Sequence, residues 1–156
     1  MLRDREREGV MSTWGSADFE AIRAMQKNIE RIQQVDMAAF CTECSKEIAK
    51  RLLALVIPRT PVGQYPSGSG KVGGTLRRGW TAAENVTVTK EGDTYTVIIS
   101  NPVEYAPYVE FGHRTRGGGF KDPQFMLTMS EEKLRTIIPK LLERKVKKML
   151  QEVLDA

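Results

Sequence analysis

Two successive apolar rows with helical spacing occupy the first third of the chain. The first row is Phe19, Ile22, Met25, Ile29 and Ile32. The second row is Phe40, Cys44, Ile48, Leu52 and Leu55. Recurrence at every third or fourth residue predicts an amphipathic helix in each case. The apolar phase slips near Asp36, and a helix of ~40 residues is long for a small domain. Either the helix breaks between Gln33 and Asp36, or it is one helix with a phase slip that changes its facing partner. We favour two nearly continuous helical parts.

The two predicted helices have different expected partners. Ser16 or Asp18 can cap the first helix, which is amphipathic and is expected to pack on another subunit. The second helix ends in the apolar run L-L-A-L-V-I at 52–57 and is expected to supply the core. Pro58, with a second proline three residues later, should stop this helix near Ile57.

Alternating apolar and polar residues in the middle of the chain predict a β-hairpin. Ala82–Thr89 and Thr94–Ser100 alternate in this way, and Glu91–Asp93 is the predicted turn between them. We expect the segment from Thr75 to Trp80 to start the same sheet.

Helical spacing returns in the C-terminal third, over Gln124–Ile138 and Pro139–Leu154. The apolar face of the second segment is formed by Leu141, Leu142, Val146, Met149, Leu150 and Val153. Its opposite face carries Lys140, Arg144, Lys145, Lys147 and Lys148, a charge run that is expected to be solvated.

Together these patterns predict an α+β fold. A charged arm at 1–15 precedes one domain at 16–156, with a long N-terminal helix, a small antiparallel β-sheet and C-terminal helices. Two long Gly-rich loops, at 58–74 and 112–123, complete the predicted domain. The length of 156 residues, with 40% hydrophobic and 28% charged residues, suits a single domain with a modest core.

Charge and hydropathy exclude some classes of protein. The formal net charge of +4 permits contact with nucleic acid without arguing for it. No apolar run approaches the ~18 residues of a membrane span, and the charged N-terminus does not resemble a signal peptide. With two cysteines and no export signal, we expect a reducing compartment.

Three motifs invite an enzymatic or metal-binding interpretation, and each fails. The run S-G-S-G-K at 67–71 has Tyr65 and Val72 where a phosphate-binding loop needs Gly and Ser or Thr. Cys41 and Cys44 lie within a predicted helix, and we expect buried, inert thiols because a zinc site needs four ligands. His113, the single histidine, has no nucleophile or oxyanion site nearby. We therefore expect no enzyme activity, no metal and no cofactor.

The stretch from Val103 to Leu127 combines aromatic residues with a basic, Gly-rich segment. We expect Tyr105, Tyr108, Phe111 and Trp80 to anchor the loop bases against the sheet. Gly112 is expected to adopt a positive φ. Basic residues lie on or beside the two loops, namely Lys71, Arg77, Arg78, Arg114, Arg116 and Lys121. They could pair with carboxylates of a partner protein or contact DNA phosphates.

Three blocks of this sequence carry a family resemblance. They are T-P-V-G at 60–63 followed by G-T-L-R-R-G-W at 74–80, Y-A-P-Y-V-E-F-G-H-R-T-R at 105–116, and F-M-L at 125–127. The blocks resemble those of the neck and tail-completion proteins of long-tailed bacteriophages and of prophage-derived tail particles. These are minor structural proteins that join the head to the tail.

The resemblance implies a non-enzymatic virion protein that forms a ring in the neck, as a hexamer. Expected partners are the adjacent head-connector and tail-terminator or tail-tube proteins, with non-specific DNA contact in the channel and no membrane. The expected location is the tail or neck of a virion assembled in the bacterial cytoplasm. The predicted subunit or partner interface comprises Arg77, Arg78, Trp80, Tyr105, Tyr108, Glu110, Phe111, His113, Arg114, Arg116, Phe120 and Phe125.

Two alternatives to a neck ring remain, namely a tail terminator or other minor tail protein and a small basic nucleic-acid-binding module. For the ring, we expect both Gly-rich loops to stay mobile in the monomer and to order only on assembly. Ordering that is delayed until assembly would keep free subunits from polymerising early.

Overall fold

The computed structural model describes residues 19–81 and 86–155, and these form an α+β fold. The helices are α1 (Phe19–Gln33), α2 (Met37–Arg59), α3 (Thr75–Gly79), α4 (Ala106–Phe111) and α5 (Met126–Asp155). The strands are β1 (Val86–Glu91), β2 (Thr94–Ile99), β3 (His113–Arg114) and β4 (Phe120–Lys121). The predicted fold class is confirmed. The predicted arm at 1–15, the caps Ser16 and Asp18 and the strand start at Ala82 lie outside the described residues.

The predicted break between the first two helices is confirmed. α1 ends at Gln33, and α2 begins after Asp36, whose carboxylate accepts a hydrogen bond from the Ala39 amide at 2.9 Å. A side-chain oxygen in this position satisfies one of the free N–H groups of the first helical turn. The phase slip in the apolar pattern therefore coincides with a capped helix start.

The predicted end of α2 at Ile57 is two residues too early, because the helix reaches Arg59 with Pro58 in its last turn. The proline removes its own N–H donor. However, the amide of Thr60 still donates back to the carbonyls of Val56 at 3.0 Å and Ile57 at 3.2 Å. These bonds close a final turn beyond the proline.

β1 and β2 form the predicted antiparallel hairpin, with Val86 paired with Ile99 at one end and Glu91 paired with Thr94 at the other. Gly92, at φ 56°, and Asp93 make the turn. A two-residue turn with positive φ matches the twist of the flanking strands. The alternate residues of each strand are half-buried, and the hairpin packs on α2.

The segment from Thr75 to Gly79 is helix α3, so the prediction that it starts the sheet is wrong. Leu76 and Trp80 are four residues apart, and both are buried, which is the spacing of one helix face. Gly74 precedes the helix with φ 88°, and its carbonyl accepts from the amide of Arg78 at 2.9 Å.

The C-terminal segment is one helix of 30 residues, where two helices were predicted. Pro139 lies inside α5 without ending it. Leu134 and Leu141, seven residues apart on one face, are both buried, and α5 packs along α2 on both sides of the proline. Packing of this apolar face holds the helix together across the lost hydrogen bond.

The core lies where the end of α2, α3, α4 and the start of α5 meet. Its buried cluster consists of Val56, Leu76, Trp80, Ala106 and Met126. The prediction that the end of the second helix supplies the core is therefore confirmed. None of the described helices is both long enough and apolar enough to cross a membrane.

The two predicted Gly-rich loops are more structured than expected. Within 112–123, β3 and β4 pair His113 with Lys121 and Arg114 with Phe120, and the Thr115 amide donates to the Gly119 carbonyl at 2.8 Å. In the other loop, Gly73 lies so close to the carbonyl of Gly63 that a side chain at 73 would collide with it. The two arms of that loop therefore touch at its base.

We expect Leu134→Ala to reduce the free energy of unfolding by about 2–5 kcal/mol, because it opens a cavity between α5 and α2. Leu154→Ala is the matched control on the same helix, at a half-exposed site, and should cost about 0.5 kcal/mol or less. Urea unfolding of both variants measures the difference. Equal losses would contradict the packing of α5 on α2 described above.

Candidate interaction surface

Thr60 ties the end of α2 to α3 through a set of buried and partly buried hydrogen bonds. Its hydroxyl donates to the Val56 carbonyl at 2.8 Å and accepts from the indole N–H of Trp80 at 2.9 Å. The guanidinium of Arg77 donates to the Thr60 carbonyl through Nε at 3.2 Å and Nη2 at 2.7 Å. Thr60 is fully buried, and we call Thr60, Arg77 and Trp80 together the threonine clamp. The first block of the family resemblance, 60–63 with 74–80, is thus one structural unit.

Glu110 ties α4 to the start of α5. Its buried carboxylate accepts from the amides of Leu127 and Thr128, both at 2.9 Å, and from the Thr128 hydroxyl at 2.7 Å. The first amides of a helix have no partner within the helix and carry partial positive charge. The Glu110 carboxylate of α4 is the acceptor for these amides of α5. We call this contact the glutamate cap.

Gly112 forms the exit from α4 and adopts the predicted positive φ, 76°. A Cβ at this position would lie 2.6 Å from the Lys121 carbonyl oxygen and 3.0 Å from the Pro123 nitrogen. The β3–β4 hairpin therefore folds back against the end of α4. Only glycine combines this backbone conformation with this close approach.

The aromatic residues in and just before α4 are exposed. The prediction that Tyr105, Tyr108 and Phe111 pack against the sheet is therefore wrong. Tyr108 and Phe111 are 59% and 64% exposed. α4 is helical, and its buried side is formed by Ala106 and Glu110, four residues apart. The aromatic residues Tyr108 and Phe111 consequently lie on the solvent side of α4. Trp80, in contrast, is buried in the core.

The β3–β4 hairpin adds cations to this exposed face. Arg114, Arg116 and Lys121 are exposed and have no ion-pair partner among residues 19–81 and 86–155. The Nδ1 of His113 lies 3.2 Å from the Tyr108 carbonyl, and the two rings meet edge to face with centroids 5.8 Å apart. An open concavity of about 760 Å³ lies between α4 and the hairpin. We call the exposed group the aromatic–arginine face; it comprises Tyr105, Tyr108, Phe111, Arg114, Arg116 and Phe120.

The structure divides the predicted interface residues into two groups. Tyr105, Tyr108, Phe111, His113, Arg114, Arg116 and Phe120 are brought together on or beside this face. Arg77, Trp80 and Glu110 are engaged inside the chain, in the clamp and the cap. Arg78 is exposed and donates to the Gly73 carbonyl at 3.2 Å, and Phe125 is exposed at the entry to α5 with φ 44°. The sequence reasoning did not single out Thr60 as the centre of the clamp.

The structure also shows where the candidate metal ligands and the two cysteines lie. The described residues hold no group of three or more His, Cys, Asp or Glu placed to bind a metal ion. Cys44 is buried and Cys41 is half-buried on α2. Burial raises the pKa of the Cys44 thiol, although nearby Lys145 opposes this shift. A higher pKa lowers the thiolate fraction on which cysteine reactivity depends.

The chain thus combines internal ties with an exposed aromatic and basic surface, and comparison with known families places it among bacteriophage tail components. The model of the family described as "Bacteriophage HK97-gp10, putative tail-component" matches residues 23–112, more than half of the chain. The chain belongs to this HK97-gp10-like family. Comparisons with curated proteins and with solved structures gave no match. The matched range contains the threonine clamp and α4, and ends at Gly112.

We expect Thr60→Val to destabilise the chain by about 1–3 kcal/mol, because the buried indole N–H of Trp80 loses its acceptor. Thr87→Val, at an exposed position of β1, is the matched control and should change stability by about 0.5 kcal/mol or less. Denaturant unfolding, followed through tryptophan fluorescence, measures both. A clamp variant as stable as the control would show that the hydrogen bond is dispensable.

We expect Glu110→Gln to cost about 1–3 kcal/mol, because an amide cannot accept as well from two backbone N–H groups and a hydroxyl. Glu132→Gln, an exposed change of the same kind further along α5, should have little effect. Hydrogen exchange at the amides of Leu127 and Thr128 provides a local readout. Unchanged exchange in Glu110→Gln would argue against the glutamate cap.

Proposed function

We propose that this tail component is a non-enzymatic protein of the neck, which forms a ring and joins the head connector to the tail. The observation that carries the proposal is the aromatic–arginine face. Tyr and Arg are enriched in the energetically dominant parts of protein–protein interfaces. The expected ring is a hexamer, with head-connector and tail-terminator or tail-tube proteins on its two sides.

The face is held on a rigid support. The threonine clamp fixes α3 to α2, the glutamate cap fixes α4 to α5, and Gly112 sets the hairpin against the end of α4. Exposed side chains held this way lose less freedom on binding, because their backbone is already ordered. A protein that must make repeated contacts in one geometry benefits from such a support.

The two Gly-rich loops are suited to ordering late, when the ring assembles. Gly68, Gly70, Gly117 and Gly118 have open space around their Cβ positions, so these segments have room to adjust. We propose that the tips of the two loops, around these glycines, become fully ordered only in the ring or on docking to the next ring, whereas the paired strands β3 and β4 are ordered beforehand. Hydrogen exchange that is fast in the free subunit and slow on particles is the expected result. Full protection in the free subunit would oppose this mechanism.

Two alternatives compete with the neck ring. A tail terminator would use the same face and would differ in which neighbours it contacts. A nucleic-acid-binding role is favoured by Arg114, Arg116 and Lys121, which lie beside aromatic side chains and have no carboxylate partner in the described ranges. Such cations bind phosphates with an affinity that falls steeply with salt.

We expect the double substitution Arg114→Ala, Arg116→Ala to preserve the fold and weaken assembly, because both side chains are exposed. Lys140→Ala, Arg144→Ala removes the same charge from α5 and is the matched control. Native mass is measured for each chain, alone and with tail particles assembled without this protein. A fixed-number ring on the particles is expected for the parent chain and for the control. Equal assembly by both variants would remove the role of these arginines.

Phe111→Ala tests the apolar part of the same face. Because the side chain is mostly exposed, we expect a change of about 0.5 kcal/mol or less in the free energy of unfolding, together with weaker assembly. A parent chain that ignores particles but binds duplex DNA in low salt would support the nucleic-acid alternative instead.

A further inference from the structure

The turn of the β1–β2 hairpin is exposed and acidic. Every residue from 89 to 94 is exposed, and a side chain at Gly92 would extend into open space. Glu91 and Asp93 stand on either side of this glycine. Neither carboxylate has a hydrogen-bond or ion-pair partner among residues 19–81 and 86–155. We call Glu91, Gly92 and Asp93 the acidic tip.

The cation next to the tip in sequence lies on the other face of the hairpin. Lys90 pairs across the strands with Tyr95, and its ammonium lies 5.5 Å from the centre of that ring. Glu91 pairs with Thr94. Because successive side chains of a strand alternate between its two faces, Glu91 lies on the face opposite Lys90. The tip therefore presents two carboxylates and no cation of its own.

The open concavity between α4 and the β3–β4 hairpin carries the opposite charge. Arg114 and Arg116 line it on the side of the hairpin, and Tyr105 and Tyr108 line it on the side of α4. No acidic residue is part of its lining. We call this site the arginine concavity.

The charge of the two arginines is not neutralised within the described part of the chain. Glu110, the carboxylate of α4, is buried and accepts from the amides of α5 instead. Neither Arg114 nor Arg116 has a hydrogen-bond or ion-pair partner in the described ranges. A guanidinium group binds a carboxylate through two parallel hydrogen bonds. Both arginines are therefore available to carboxylates from outside the chain.

The acidic tip and the arginine concavity of one chain are at opposite ends of α2. Tyr95, two residues after the tip, donates from its hydroxyl to the Ala38 carbonyl at 3.4 Å, at the start of α2. Val56, near the end of α2, belongs to the same buried cluster as Ala106 of α4. Ala38 and Val56 are about 27 Å apart along the helix at 1.5 Å per residue. The tip consequently cannot enter the concavity of its own chain.

We propose that the acidic tip binds in the arginine concavity of a second copy of this chain. The tip is a projecting anionic turn, and the concavity is a recessed cationic site of about 760 Å³. Recessed sites of roughly 300–1,000 Å³ are the usual size for binding compact groups. Complementary charges favour the correct pairing and fix its register. The inference rests on the proposed ring and names the contact that builds it.

A compact acidic turn fits this site better than duplex DNA does. Only two arginines line the concavity, and the exposed carboxylates of Glu104 and Asp122 lie just outside its lining in sequence. DNA carries phosphates along its whole length. A duplex would therefore bring phosphates towards these carboxylates, whereas a single turn is short enough to avoid them.

The proposed contact is head-to-tail, because the tip of one copy meets the concavity of the next. Such heterologous contacts produce a ring when the rotation closes. Phe111 and Phe120 do not line the concavity. That part of the aromatic–arginine face stays available to a different neighbour.

Charge reversal tests the pairing. Glu91→Lys, Asp93→Lys reverses the tip, and Arg114→Glu, Arg116→Glu reverses the concavity, all at exposed positions. We expect each double variant to weaken ring assembly on tail particles made without this protein by about tenfold or more. The variant with all four changes should recover most of the assembly, because the charges are again opposite. Native mass measures the ring, and circular dichroism verifies the fold.

A matched control separates pairing from net charge. It combines the reversed tip with Lys140→Glu, Arg144→Glu, exposed positions of α5, and so has the same net charge as the variant with all four changes. We expect no recovery in this control. Equal recovery in both chains would overturn the inference, because net charge alone would explain it. The absence of recovery in the variant with all four changes would also overturn it.

Cross-linking identifies the occupant of the concavity. In a background with Cys41→Ser and Cys44→Ala, one chain carries Thr94→Cys beside the tip and another carries Tyr105→Cys in the concavity. Both chains keep the two carboxylates and the two arginines. A short bismaleimide is applied on particles to each chain and to an equal mixture. We expect a cross-linked dimer only from the mixture. Attachment of Tyr105→Cys to a different tail component instead would make that component the occupant.

The parent chain separates a failure of this contact from a failure of the proposed function. A parent chain that forms a ring, with no recovery on charge reversal and no mixed dimer, would reject the tip contact alone. A parent chain that never forms a ring would reject both. Binding of duplex DNA by such a chain, lost in Arg114→Glu, Arg116→Glu, would assign the concavity to nucleic acid.

Discussion

The carboxylate of Glu110 is the contact on which the exposed face depends. α4 is a single short helix, and α5 begins 15 residues after it, with the β3–β4 hairpin between them. Backbone bonds from the Gln124 amide to the Val109 carbonyl, at 2.9 Å, and from the Phe125 amide to the Glu110 carbonyl, at 3.1 Å, join α4 to the entry of α5. The bonds from Leu127 and Thr128 to the carboxylate extend this connection into the first turn of α5. The amides of a helix start and a buried negative charge each lack a partner alone and satisfy one another when together. Together with the close approach at Gly112, this pairing sets the position of the hairpin and of the arginines on it.

The family motifs combine two kinds of residue that look alike in a sequence. Arg77 and Trp80 hold α3 to the end of α2 through Thr60, whereas Arg114 and Phe120 remain exposed on the hairpin. The first pair helps to maintain the fold, whereas the second pair lies on the aromatic–arginine face. The family match covers the threonine clamp and Glu110 but not Leu127 or Thr128, and it ends where the hairpin begins.

Periodicity predicted the long elements well, because burial on one face of a long helix or strand repeats many times. The division between α1 and α2 and the β1–β2 hairpin were predicted for this reason. The short helix α3 was not predicted. Leu76 and Trp80 supply only one helical spacing, and the segment was expected to start a strand instead. The outward direction of Tyr108 and Phe111 was missed because aromatic residues suggest burial, while Ala106 and Glu110 take the inner side of α4. The glutamate cap joins residues 17 and 18 positions apart, and no local pattern reveals such a pairing.

The backbones of Gly63 and Gly73 meet at the base of the 58–74 loop. Because the backbone arms meet at that point, the segment between them forms a closed loop whose tip is separated from the core by its own base. Gly68 and Gly70 at the tip have open space around them, and the tip residues are exposed. Insertions are best tolerated at exposed tips of this kind, where few backbone contacts are disturbed. A peptide tag or fluorophore attachment site placed there would mark the position of each subunit while leaving the threonine clamp and the glutamate cap undisturbed.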